Sequence, residues 1–198
     1  GVESSWFDVE RKLSTDTRLL FWGRLEDEKG LPELFIALKE VTKKIKQIKL
    51  ILVGEGSQLK EYKNLVVSLG LTEHVEFKGW LDAREIQNLT TQSDLGLFPS
   101  RIESFGLSVI EAMAAGLPVI AANGGAVPEN IKDGVTGTLI PVHDSNALAK
   151  AIISALENPK YIRNLAETAK KQVREKFSWD KTADSMIDIY TSVLRDSA

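Results

Sequence analysis

Two glutamates eight positions apart, Glu103 and Glu111, bracket the run Glu103-Ser104-Phe105-Gly106-Leu107-Ser108-Val109-Ile110-Glu111. Glu103 belongs to a loop context of Pro99, Ser100 and Gly106, whereas Glu111 lies in an apolar helical run that continues through Ala112, Met113, Ala114 and Ala115. Burying a lone carboxylate costs several kcal/mol, so Glu111 must face solvent, meet a donor or receive a ligand's hydroxyls. Gly106 and Leu107 fall near the start of that helix and can present backbone N–H groups to an anion. One exposed helix end supplies only about 0.3–1 kcal/mol, so other positive groups must add to it. Two cations beside flexible backbone, Arg24 after Gly23 and Lys29 before Gly30, suit a phosphate at a helix start. Taken alone they are more often surface residues.

Such residues need a scaffold that gathers distant loops. Short apolar runs at 18–22, 50–53, 74–77, 94–98, 119–121 and 136–140 read as strands buried on both faces. Helical patterns alternate with them. One has Leu31, Leu34, Phe35, Leu38, Val41 and Ile45 on a face, a second has Leu59, Tyr62, Val66 and Leu69, and a third covers 83–91. Strand–helix alternation at this spacing predicts βαβ units, hence an α/β, Rossmann-like, doubly wound parallel sheet of six strands. From Pro141 onward only helices are predicted, at 145–157, 160–176 and 179–194, with Ser178 as an N-cap. Residues 1–17 read as a polar hinge segment anchored by Trp6 and Phe7, and 178–198 as a closing helix. No repeat or linker divides residues 1–198, which are taken as one domain.

In such sheets ligands gather beyond the carboxyl ends of the strands, so the loops after the first five strands face one crevice. Gly54-Glu55-Gly56 permits close backbone approach, but Leu59 occupies the third glycine position of a dinucleotide fingerprint, which argues against a nicotinamide-dependent dehydrogenase. Lys78-Gly79-Trp80-Leu81 offers a backbone edge and an aromatic: Trp80 reads equally as a platform for a base or as a buried ring. Asn123-Gly124-Gly125 with Glu129 closes the set, although a glycine pair alone is usually a turn.

Composition removes several classes. The chain of 198 residues has no cysteine, so thiolate catalysis and sulfur-ligated metals are excluded. Its two histidines, His74 and His143, form no metal-binding pattern. A net charge of −3 argues against nucleic acid as a partner, and Lys43, Lys44, Lys46 and Lys49 read first as a solvated helix face. No apolar run approaches the roughly 20 residues needed to cross a bilayer, and no signal pattern opens the chain.

The pieces Gly23-Arg24-Leu25 with Lys29-Gly30, Gly54-Glu55-Gly56, Phe77-Lys78-Gly79, Pro99-Ser100, Glu103 to Glu111, Ala115-Gly116-Leu117-Pro118-Val119, and Gly124-Gly125 with Glu129 occur in one order and spacing. Together they resemble the C-terminal, donor-binding domain of retaining GT-B glycosyltransferases of the glycosyltransferase 4 family, also called glycosyl transferases group 1. Gly1-Val2-Glu3 is similar to the hinge that enters that domain.

The resemblance implies a metal-independent hexosyltransferase that uses a nucleoside-diphosphate sugar as donor, with no cofactor and no metal site. Arg24 and Lys29 would hold the diphosphate and stabilise the leaving group, and Glu103 would bind hydroxyls of the sugar. Backbone at Ser104, Phe105, Gly106 and Leu107 would assist, and Glu111 would bind the ribose. The base would lie at Lys78, Gly79 and Leu81, with Gly23, Gly54 and Gly56 allowing close approach. Neither glutamate is then a glycosidase acid or nucleophile. No Asp-x-Asp motif occurs. The partner implied is an N-terminal acceptor-binding domain, which is missing from this chain, so the isolated half is expected to be inactive. A cytoplasmic protein is expected, with any contact at the inner face of the membrane made through that missing domain. The competing reading is a non-catalytic interaction module that keeps the half-fold.

Overall fold

The computed structural model describes residues 1–10 and 17–196. Strands β1 Thr17–Trp22, β2 Ile48–Val53, β3 Val75–Gly79, β4 Leu95–Phe98, β5 Val119–Ala122 and β6 Thr138–Ile140 pair in the order β3-β2-β1-β4-β5-β6, all parallel. The chain runs outward from β1 to β3, returns to β4 beside β1, and runs outward again. Right-handed crossovers therefore put helices α1 Leu31–Lys44 and α2 Leu59–Ser68 on one face. They put α3 Ala83–Thr91, α4 Leu107–Ala114 and α5 Val127–Asn130 on the other. Helix α6 Ser145–Glu157 packs on α1, α7 Pro159–Phe177 packs on α4, and α8 Trp179–Asp196 ends the described chain. This is the doubly wound α/β sheet that the apolar runs predict, with its reversal between β1 and β4.

Burial follows from the two covered faces. Every residue of β4 and β5 is buried, and Leu31, Leu34, Phe35, Leu38 and Val41 form the inner stripe of α1. The edge strands are less covered: the residues of β3 alternate between half-buried and exposed, and Thr138 and Leu139 of β6 are half-buried. In β3, Lys78 pairs with Glu76 at 2.6 Å, two residues away on the same side of the strand.

Several element ends differ from expectation for local reasons. Strand β6 starts at Thr138, because Thr136 closes a turn with Lys132: the Lys132 N–H donates to Thr136 Oγ1 at 2.9 Å and the Thr136 N–H returns to the Lys132 carbonyl. Strand β3 starts at Val75, since the His74 N–H turns back to the Leu71 carbonyl, and it runs through Gly79, whose carbonyl receives the Gly54 N–H at 2.7 Å. The hinge segment is less irregular than it reads. Ser4–Asp8 forms a 3₁₀ turn that buries Trp6 and Phe7, and the Val2 N–H donates to the Phe177 carbonyl at the start of the α7–α8 junction. Residues 11–16 of that segment and 197–198 of the closing one lie outside the described residues. Ser178 does cap α8, its Oγ accepting from the Lys181 N–H at 3.3 Å.

Candidate functional site

At the carboxyl ends of the strands, backbone atoms lock the loops together. The Leu25 N–H donates to the Glu55 carbonyl at 2.8 Å, the Arg101 N–H to the Glu28 carbonyl at 2.7 Å, and the Ala126 N–H to the Glu103 carbonyl at 2.8 Å. Thus the loop after β1 is tied to those after β2 and β4, and the β4 loop to the β5 loop. Two glycines are required by these approaches. Gly30 has φ +66° and a Cβ there would lie 2.2 Å from the Pro99 carbonyl oxygen. Gly125 has φ +56° and a Cβ there would lie 2.1 Å from the Glu103 carbonyl oxygen.

Side chains then bridge the locked loops. Lys29 Nζ donates to Glu103 Oε1 at 2.7 Å, so the cation and the carboxylate expected at one site meet. Arg24 points elsewhere: it pairs with Glu28 at 2.8 Å and its side chain is 73% exposed. A link that the sequence reading did not identify braces the same loops, with Arg101 pairing to Asp27 at 2.7 Å and to Glu33 at 2.9 Å. His143 Nδ1 also lies 3.0 Å from Glu33 Oε1. Burial works against ionisation of Glu33, but its own backbone N–H, His143 and Arg101 outweigh it and hold the carboxyl below the usual range.

Glu111 has the donor partner that its apolar helix demands. The Trp22 indole N–H, at the end of β1, donates to Glu111 Oε2 at 3.0 Å. Of the three options open to it, the carboxylate thus takes a donor partner within the chain and does not depend on a ligand's hydroxyls for its first hydrogen bond. Burial still raises its carboxyl above the usual range, the Trp22 N–H opposing and the Glu3 charge adding to the rise. Between the two glutamates, Gly106 precedes α4 in a left-handed conformation and no side chain caps the helix. Its first N–H groups therefore face the loops without a side-chain acceptor. Buried Asn130 donates to the Phe105 carbonyl and fixes the residue before Gly106. Phe105 packs edge-on to Phe177 at 6.0 Å, while Ser104 and Leu107 are exposed.

On the β2–β3 side, Trp22, Gly23, Arg24, Val53, Gly54, Glu55, Trp80, Leu81 and Ile86 surround a cavity of about 280 Å³. Trp80 is 70% exposed at its rim, which excludes the reading of it as a buried ring. The lining brings together Gly23, Arg24, Gly54 and Leu81 but not Gly56, Lys78 or Gly79. Gly56 instead packs against Leu25 backbone, and the Lys78 side chain is held by Glu76. Trp22 is the functional candidate that the sequence reading missed. The only signal for it was its position as the last strand residue before Gly23. Among the described residues no group of three His, Cys, Asp or Glu is arranged to hold a metal ion, and no helix is long and apolar enough to cross a membrane.

Residues 2–172 match the family model described as glycosyl transferases group 1. The chain is 30% identical to glycogen synthase of Mycobacterium tuberculosis over 197 residues, 98% of this chain and 48% of that protein. It is 39% identical to N-acetyl-alpha-D-glucosaminyl L-malate synthase of Bacillus anthracis over 148 residues, 75% of this chain and 38% of that protein. Among solved structures, HepE of Anabaena in complex with UDP-glucose superposes with a TM-score of 0.83 at 29% identity, covering 90% of this chain and 49% of that one. The chain thus spans about half the length of such relatives.

Proposed function

The chain belongs to the glycosyl transferases group 1 family, and from that premise we propose that it is the donor-binding half of a retaining hexosyltransferase that uses a nucleoside-diphosphate sugar and needs no metal ion. The observation that carries this reading is the meeting of Lys29 with Glu103 beside the uncapped start of α4, at the point where the strand order reverses.

In this reading the base occupies the cavity of about 280 Å³ rimmed by Trp80, and Glu111 accepts from ribose hydroxyls. Lys29 and the α4 amides at Gly106 and Leu107 receive the diphosphate. Arg24 joins them by leaving Glu28, an exchange that costs little because an exposed ion pair contributes only about 0–1 kcal/mol. Glu103 accepts from the sugar's hydroxyls while Lys29 turns to the phosphate. Fixed cations and amides aimed at the departing diphosphate do the work that a divalent ion does elsewhere. A UDP-sugar donor is supported by the HepE complex with UDP-glucose. Retention of configuration rests on the family resemblance.

The acceptor and the completion of catalysis are assigned to an N-terminal domain carried by the other half of the parent protein, so this half alone transfers no sugar. The exposed stripe of Met186, Ile187, Tyr190 and Leu194 on α8 supports a docking face for that domain. In this reading the protein works in the cytoplasm, and any contact with a membrane belongs to the proposed N-terminal domain. Thermal unfolding with UDP-, GDP- and ADP-glucose in EDTA tests the reading: one of them raises Tm, since a ligand of the native state stabilises it. A folded chain that responds to none of them contradicts it.

A further inference from the structure

Trp22 is the one residue shared by the two halves of the nucleoside site. Trp22 lines the cavity on the β2–β3 side, and its N–H reaches across to Glu111 on α4. The ring has little freedom. It is 5% exposed, stacks on Trp6 with centroids 6.0 Å apart and planes 7° from parallel, and meets Phe98 edge-on at 4.9 Å. An indole nitrogen only donates, so its one hydrogen bond fixes which Glu111 oxygen is taken. Among the described residues Glu111 Oε1 accepts no hydrogen bond.

We propose that Trp22 is a positioning residue for nucleoside recognition, holding the Glu111 carboxylate by Oε2 so that Oε1 faces the ribose of a nucleoside whose base occupies the cavity that Trp22 lines. The inference rests on the donor-binding reading above and adds to it a residue that lines the base cavity and holds the ribose clamp. The chemistry is directional. Glu111 without the indole donor keeps its burial and the nearby Glu3 but loses the one contact that favours its ionised form. Trp22 reaches Glu111 from the end of β1 and Glu3 from the hinge segment, whose turn packs on α4; α7, which also packs on α4, carries Lys170 and Arg174, and neither is among the causes of the Glu111 shift. A protonated Glu111 would turn one oxygen into a donor and meet the ribose hydroxyls less well. Trp22 thus widens the pH range over which the clamp accepts.

The test compares UDP with 2′-deoxy-UDP and 3′-deoxy-UDP by calorimetry from acidic to neutral pH, in wild type, Trp22→Phe and Glu111→Gln. Wild type favours UDP over at least one deoxy analogue by roughly tenfold, the size of one hydrogen bond to a charged group, and Glu111→Gln removes that preference. Trp22→Phe keeps an aromatic ring in the stack but lowers the preference several-fold and moves its loss on acidification to higher pH. In unmodified protein, the Trp22 indole N–H resonance shifts on saturation with UDP, a readout independent of whether Trp22→Phe folds. A folded Trp22→Phe with wild-type preference at every pH, or an indole resonance blind to UDP, overturns the inference while the donor-binding reading stands. Wild type that binds UDP without a preference that Glu111→Gln removes overturns the ribose role of Glu111 as well.

Discussion

Lys29 Nζ and Glu103 Oε1 lie 2.7 Å apart with their side chains only 14% and 13% exposed, although 74 residues separate them in the chain. A pair so shielded couples the β1 and β4 loops, and removing one member strands the other's charge. Lys29→Met and Glu103→Gln are each expected to destabilise the chain by about 1.5–3 kcal/mol. The double variant should lose clearly less than the sum of the two. Urea unfolding of the three variants measures this coupling, and strictly additive losses would show that the pair does not join the loops.

The loop cage also depends on backbone approach at glycines. Gly125→Ala forces a Cβ toward the Glu103 carbonyl oxygen, 2.1 Å away, at φ +56°. Gly70, at φ +73°, has nothing within 4 Å of such an atom. Gly70→Ala should therefore cost only the conformational penalty of about 1–2 kcal/mol. Gly125→Ala should cost more than that and also weaken donor binding. Equal effects of the two on stability, with donor affinity unchanged, would contradict the interlocked arrangement.

Glu111 makes stability pH-dependent in a defined direction. Burial raises its carboxyl above the usual range, against the Trp22 donor and with the Glu3 charge. The native state then binds this proton more tightly than the unfolded chain. The group's contribution to stability falls as pH rises from the unfolded value, roughly 4.3, through the raised native one. Glu111→Gln, which keeps an oxygen for the indole, is expected to raise Tm at neutral pH, each 1 kcal/mol being worth about 2–4 °C in a chain of this size. Below the unfolded value the two proteins should melt alike. A variant less stable than wild type at neutral pH would contradict this balance.

Helix α8 carries Ile187 and Tyr190, both about three-fifths exposed at 61%. Ile187→Ser and Tyr190→Ser should change this chain's stability by no more than about 0.5 kcal/mol. If α8 is the proposed docking face, they should weaken association with the proposed N-terminal acceptor-binding domain. Pull-down of that domain, expressed separately, by wild type and the double variant measures it, and equal capture would assign the stripe another role.

Most of the scaffold was legible in local chemistry. The runs Leu50–Val53 of β2 and Val119–Ala121 of β5 are apolar at every position because a sheet covered on both faces needs it, and their positions fixed which loops share a crevice. Close backbone approach is read at Gly54 and Gly56, whereas Gly30 reads as flexible backbone beside two cations and Gly125 as part of a turn, and their approaches to Pro99 and Glu103 emerge only in the fold. What local pattern could not carry was pairing across the chain. Trp22 reads as the end of a core strand, and only the β1–β4 junction puts its N–H on Glu111, 89 residues away. Arg101 likewise reads as an ordinary loop cation until Asp27 and Glu33 meet it from the far side. Arg24 was grouped with Lys29 by proximity in sequence, yet it follows the nearer Glu28 on the exposed side of the loop.

The central claim is that Lys29, Glu103 and the start of α4 form a diphosphate-sugar site that works without a metal. Titration calorimetry of UDP-glucose into this chain in EDTA tests it most directly, run beside Lys29→Ala. Binding by wild type that weakens at least about tenfold in a folded Lys29→Ala is the predicted result, as expected for one lost charge-assisted contact. Binding that appears only when a divalent ion is added, or that is unchanged in Lys29→Ala, would contradict it.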